Sequence, residues 1–136
     1  MIEMRDSKGP DIQPALDLLS AWSPFEWARQ GGQQWAGASG YVNIPGVDDG
    51  AGVILGVDHS QVSLTITTLI GEYKCVWLLG ADGFMKPSTM AWEPVEAADA
   101  VTEPVSNLIA QATDVVAALI VAQMRWVNAT YRGGQA

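Results

Sequence analysis

The sequence predicts an α+β fold, with two short N-terminal helices, an antiparallel meander of four to five strands, and a long C-terminal helix packed on the sheet. Three observations carry this prediction. Apolar residues recur at three- and four-residue spacing near both ends of the chain. Between residues 40 and 86 the spacing becomes alternate, and Gly, Asp and Ser divide that region at short intervals. Helices at the ends of such a run of strands make an α+β rather than an α/β arrangement. A length of 136 residues suits one domain. Within it, 1–10 reads as a flexible N-terminus, 11–39 as helical, 40–86 as the meander, 87–101 as a linker and 102–130 as the long helix.

Taken in order, Gly9-Pro10-Asp11 punctuates the start, and Asp11 is placed to cap a helix reaching about Trp22. Pro14 falls in the first turn, where its missing N–H does no harm. Ile12, Ala15, Leu16, Leu19 and Trp22 form one apolar face. Ser23 and Glu26 then have the spacing of a capping box, with Pro24 at the first helical position and Trp22 and Trp27 at the staple positions. A second short helix is expected from Pro24 to Gly31-Gly32.

Strands are expected at Tyr41–Ile44, Val53–Val57, Val62–Ile70 and Tyr73–Leu79. Val62, Leu64 and Ile66 alternate with Ser63, Thr65 and Thr67, so that strand has one buried and one solvated face. Tyr73–Leu79 is apolar on both sides, which predicts a central strand covered on both faces. Short turns favour sequential antiparallel pairing. A fifth, edge strand is expected at Phe84–Lys86, ended by Pro87.

The long helix has two adjacent apolar stripes. Leu108, Ala112, Val115, Leu119, Ala122 and Trp126 make the first; Val105, Ile109, Val116, Ile120, Met124 and Val127 make the second. A helix apolar over so much of its circumference needs cover on more than one side. The N-terminal helices or a second chain must supply it, which makes Ile120 a candidate contact for a homo-oligomer.

The chain holds 15 acidic and 7 basic residues, for a net charge of −8. No Lys or Arg lies between Arg29 and Lys74 or between Lys86 and Arg125. Such a surface repels phosphate backbones, so nucleic acid is not an expected partner; it either serves solubility alone or attracts a basic protein partner. The longest apolar run, Val115 to Ala122, falls well short of the ~20 residues of a membrane span. The charged start lacks the pattern of a secretory signal, so a cytoplasmic location is expected, with no membrane partner.

Catalytic equipment is sparse. His59 is the single histidine and Cys75 the single cysteine, and no residues have a metal-ligand spacing. Asp58-His59-Ser60 reads as a polar turn, because sequence neighbours on a tight turn do not make a triad. Cys75 reads as a buried thiol on the Tyr73–Trp77–Leu79 face. Asp48-Asp49-Gly50 lacks the remaining ligands of a calcium loop. No catalytic residue, metal or cofactor is therefore assigned.

Six tryptophans are many for this length, and Trp is enriched at interfaces. Trp22, Trp77 and Trp126 fall at core positions, which leaves Trp35 and Trp92 in irregular segments. The sequence thus points to a non-catalytic interaction or assembly protein, of accessory, inhibitory or immunity type, or a structural phage subunit. Its candidate contacts are Trp35, Trp92, Glu93, Glu96, Asp99 and Ile120. The alternative is a small-molecule pocket, or a small hydrolase-like site, between sheet and helix, lined by Trp77, Met124, Trp126 and His59.

Overall fold

A computed structural model of the chain describes residues 9–21, 27–44, 47, 49–80, 84–94 and 103–132. It is α+β and has two layers. Helix α1 (Gln13–Ser20) precedes six strands, β1 (Ala28–Gly31), β2 (Trp35–Val42), β3 (Ala51–Asp58), β4 (Gln61–Thr68), β5 (Gly71–Leu79) and β6 (Met85–Pro94). Helix α2 (Glu103–Val127) follows and runs into a π-helical turn, Asn128–Arg132. The strands form one antiparallel sheet in the order β1-β2-β3-β4-β5-β6.

Both helices lie on one side of the sheet. α2 packs over β3 and β4, and α1 packs beside α2. Inward alternation supplies the sheet's half of the core: Val53, Leu55 and Val57 on β3, then Val62, Leu64 and Ile66 on β4, all buried. Ile12, Leu16 and Leu19 come from α1, and Leu108, Val115 and Leu119 from α2. Asp11 lies one residue before the N-cap Ile12, and its Oδ1 accepts the Gln13 N–H at 3.0 Å, satisfying a donor of the first turn. By length and mean hydropathy (1.7) the stretch from Glu103 to Thr130 is long and apolar enough to cross a bilayer, and 39% of its most apolar window is buried in the fold.

The second stripe of α2 is largely internal. Val105, Val116 and Val127 are buried, while Ile109 and Ile120 are half-buried and packed against the core. Gln123, on the same side of the helix, is fully buried. Its Nε2 donates to the His59 carbonyl at 3.1 Å, tying α2 to the β3–β4 hairpin.

Several expectations are corrected. The second helix is not formed over Ala28–Gly31, which is strand β1 paired with β2; the capping residues Ser23 to Glu26 lie outside the described residues. All four β1 residues are exposed, so backbone pairing makes this a strand, and no side-chain period announces it. The meander therefore begins at residue 28 rather than 40, within the stretch expected to be helical, and has six strands. β2 starts at Trp35, six residues early, because Ala36, Gly37, Ala38, Ser39 and Gly40 are too small to signal a strand.

β4 stops at Thr68 rather than Ile70. The Thr68 hydroxyl accepts the N–H groups of Ile70 and Gly71 and donates to the Gly71 carbonyl, each at 3.1 Å, which closes a tight turn. β6 passes through Pro87 and extends to Pro94, within the expected linker. Pro87 is tolerated because β6 is an edge strand with an irregular register: Val76 pairs Thr89 and Trp77 pairs Pro87, leaving Ser88 as a bulge. β5 is next to this edge and buries one face only, with Tyr73 and Cys75 in the core. Leu78 on its other face is exposed.

Candidate binding surface

Among the described residues, the face of the sheet opposite the two helices is left uncovered by regular elements. Antiparallel register puts directly opposed residues on the same side. One row therefore reads Trp35, Asp58, Gln61 and Leu78; the next, Gly37, Gly56, Ser63 and Val76. A third reads Ser39, Ile54, Thr65 and Lys74, and a fourth Tyr41, Gly52, Thr67 and Glu72. Antiparallel sheets often solvate one face, but that face is then usually polar. Here Trp35, Tyr41, Ile54 and Leu78 stand on it, between 42% and 61% exposed.

Ile54 is the most exposed of the four and lies between Gly52 and Gly56 on β3. Among the described residues, nothing requires glycine at either position. A Cβ on Gly52 would meet no atom within 4 Å, and one on Gly56 would make only an ordinary 3.5 Å contact with Ser63 Oγ. Gly71 differs: a Cβ there would come within 2.8 Å of the Glu93 carbonyl and of the Trp92 ring. Beside Ile54, Tyr41 and Gly52 border a shallow depression of about 600 Å³.

Trp35 lies along this face. A Cβ on Gly32 would be 2.9 Å from its Nε1, and one on Gly37 would be 3.6 Å from its Cζ3, so the indole spans both glycines. Its cross-strand partner is Asp58. Asp58 Oδ1 accepts three hydrogen bonds, from the Ser60 N–H (2.7 Å), the Ser60 hydroxyl (2.8 Å) and the Gln61 N–H (2.9 Å). Burial works to raise the Asp58 pKa, but these bonds and the nearby His59 outweigh it and hold the carboxyl below its ordinary value. Thr67 donates to Glu72 Oε2 at 3.2 Å.

The sequence-derived contact residues do not converge. Trp35 and Glu93 are on the open face, on the second and last strands. Trp92 opposes Tyr73 on the helix side, half-buried, with an Nε1 that has no hydrogen-bond partner among the described residues. Ile120 packs on the core from α2. Glu96 and Asp99 lie outside the described residues. Neither Trp35 nor Trp92 is in an irregular segment, since each belongs to a strand.

The residues of the alternative pocket are spread over the sheet and α2. Trp126 borders a groove of about 520 Å³ with Pro14, Val121 and Arg125, and neither Trp77, Met124 nor His59 lines it. Met124 and Trp126, two residues apart on a helix, project roughly 160° from each other. Trp77 donates its Nε1 to Cys75 Sγ, and burial raises the Cys75 thiol pKa. Burial and the neighbouring Cys75 likewise push Tyr73 up to about 12. Among the described residues no three His, Cys, Asp or Glu side chains gather into a group that could hold a metal ion.

Tyr41, Ile54, Leu78 and the two glycines were not singled out by sequence reasoning. The available signal was the outward Ile54 between Gly52 and Gly56, inside a strand whose inward residues are Val53, Leu55 and Val57. No family model matches this chain, and the comparisons with curated proteins and with solved structures found no match.

Proposed function

We propose that this chain is a non-catalytic binding protein that takes a protein partner on the open face of its sheet. The observation that carries the reading is the exposed Ile54 between two glycines that internal packing does not demand. Glycine weakens a strand interior, and where packing does not require it, close approach of another backbone or ligand gives it a reason. Trp35 and Tyr41 supply large, stiff contact area of the kind that dominates interface energetics. An exposed apolar patch on an otherwise acidic protein also has a physical cost in solubility, which a binding role offsets.

Gly52→Val separates binding from folding. The side chain enters open space on a strand, so thermal stability should hold or rise slightly, by up to about 1 kcal/mol. Proteins retained by the immobilised wild type from an extract of the source cells should be lost with Gly52→Val and Ile54→Asp. They should be kept with Val121→Asp on the opposite layer. If retention is unchanged by both sheet variants and lost with the helix variant, the open face is not the binding surface.

A further inference from the structure

The identity of the partner on the open face is an inference that rests on the reading above. We propose that this face binds a second copy of the chain, the two sheets packing face to face about a two-fold axis. The axis lies along the face and runs across the strands, between the third and fourth rows. An interface of this symmetry needs knob and hole on one patch, because residue i meets residue j and j meets i. β3 carries both. Ile54, 61% exposed, stands in the third row, and Gly52 follows in the fourth, beside the depression that Tyr41 and Thr67 also border. Exchanging the two rows sets Ile54 of each copy on Gly52 of the other. That is open space, where an added Cβ meets no atom within 4 Å.

Charge follows the same exchange. On β5 the third row holds Lys74 and the fourth Glu72, both exposed. The axis places Lys74 of each copy opposite Glu72 of the other, which makes two pairs of opposite charge. Within one chain Glu72 stands directly across from Glu93, and like charges so opposed destabilise a sheet. A lysine arriving from the second copy relieves that repulsion. On β2 and β4 the exchange brings Ser39 to Tyr41 and Thr65 to Thr67, none of them charged.

Four strands at ~4.8 Å spacing and three rows ~6.8 Å apart cover about 400 Å² in plan on each copy. With side-chain relief the pair buries roughly 1,000 Å², the lower limit for a specific interface, so the dimer is weak and reversible. The −8 charge of each chain opposes encounter at long range, but physiological salt screens exposed charges beyond ~8 Å. Two copies therefore associate faster as salt rises, whereas a basic partner associates more slowly.

The test is sedimentation equilibrium of the purified chain from micromolar to millimolar concentration at physiological salt. Wild type should pass reversibly from monomer to dimer. Gly52→Val fills the hole and should weaken the dimer by about tenfold or more. Lys74→Glu and Glu72→Lys should each do the same, because like charges then face each other twice. An equimolar mixture of these two variants should dimerise as wild type does, since each chain finds its opposite charge in the other. Thermal melts by circular dichroism establish that every variant is folded.

A wild type that stays monomeric at every concentration, or a mixture that associates no better than its components, overturns the second copy as occupant. Capture from the source-cell extract tests the surface separately. A different protein that is retained by wild type and lost with Gly52→Val removes the dimer and leaves binding through the open face standing.

Discussion

Asp58 ends β3 and closes the hairpin to β4 by accepting the Ser60 and Gln61 N–H groups and the Ser60 hydroxyl. Its pKa is lowered in the folded chain, so over the acid range the unfolded chain binds more protons at this position. The stabilisation is fully present above the unfolded value of about 3.9 and is lost as pH falls through the lower folded value. Urea midpoints measured from neutral to strongly acidic pH should therefore fall less steeply below pH 4 in Asp58→Asn than in the wild type. Identical slopes would show that the carboxylate is not held by the turn. The turn itself was legible in the sequence, because Asp, His and Ser on adjacent positions are residue types that turn the chain locally. Gln123 was not legible. A glutamine inside an apolar stripe carries no sign that its amide will be buried against the His59 carbonyl 64 positions away.

Elements were legible in proportion to how far their own side chains decide them. The two stripes of α2 and the alternation of β4 are written in residues that pack; α2 forms close to its expected range, and β4 forms over the alternating residues but stops at Thr68. β1 and the later part of β6 are held by pairing with a neighbour while most of their side chains remain in solvent, so periodicity had nothing to report. The packing of α2 leads to a graded pair of outcomes. Leu119 is fully buried at mid-helix, and Leu119→Ala should cost about 2–5 kcal/mol in denaturant unfolding. Ile120 is packed against the core from the second stripe, so Ile120→Asp should destabilise the isolated chain as well, by placing a charge in a half-apolar site. A variant Ile120→Asp with wild-type stability would show that the second stripe is a surface rather than part of the core.

At the scale of the whole molecule, one layer of helix covers one face of a six-stranded sheet, and the other face meets solvent with Trp35, Tyr41, Ile54 and Leu78 on it. The α+β layers were legible in the sequence, but not this face, because which side of each strand goes uncovered depends on where the helices dock. Charge and shape then act at different ranges. Exposed charges are screened within ~8 Å at physiological salt, so a basic partner should associate on the order of tenfold faster at low salt, with a smaller change in dissociation rate. A salt-independent association rate would leave the apolar contacts alone to explain binding.

The most direct measurement is site-specific photo-cross-linking in the source cells, with benzoylphenylalanine in place of Ile54 on the open face or of Val121 on the helix layer. Both positions are exposed, at 61% and 48%, so reactivity toward bulk solvent is matched. A discrete cross-linked protein should form from position 54 and disappear when Gly52→Val is added, while position 121 yields none. A discrete adduct from position 121 with none from position 54 would contradict binding through the sheet.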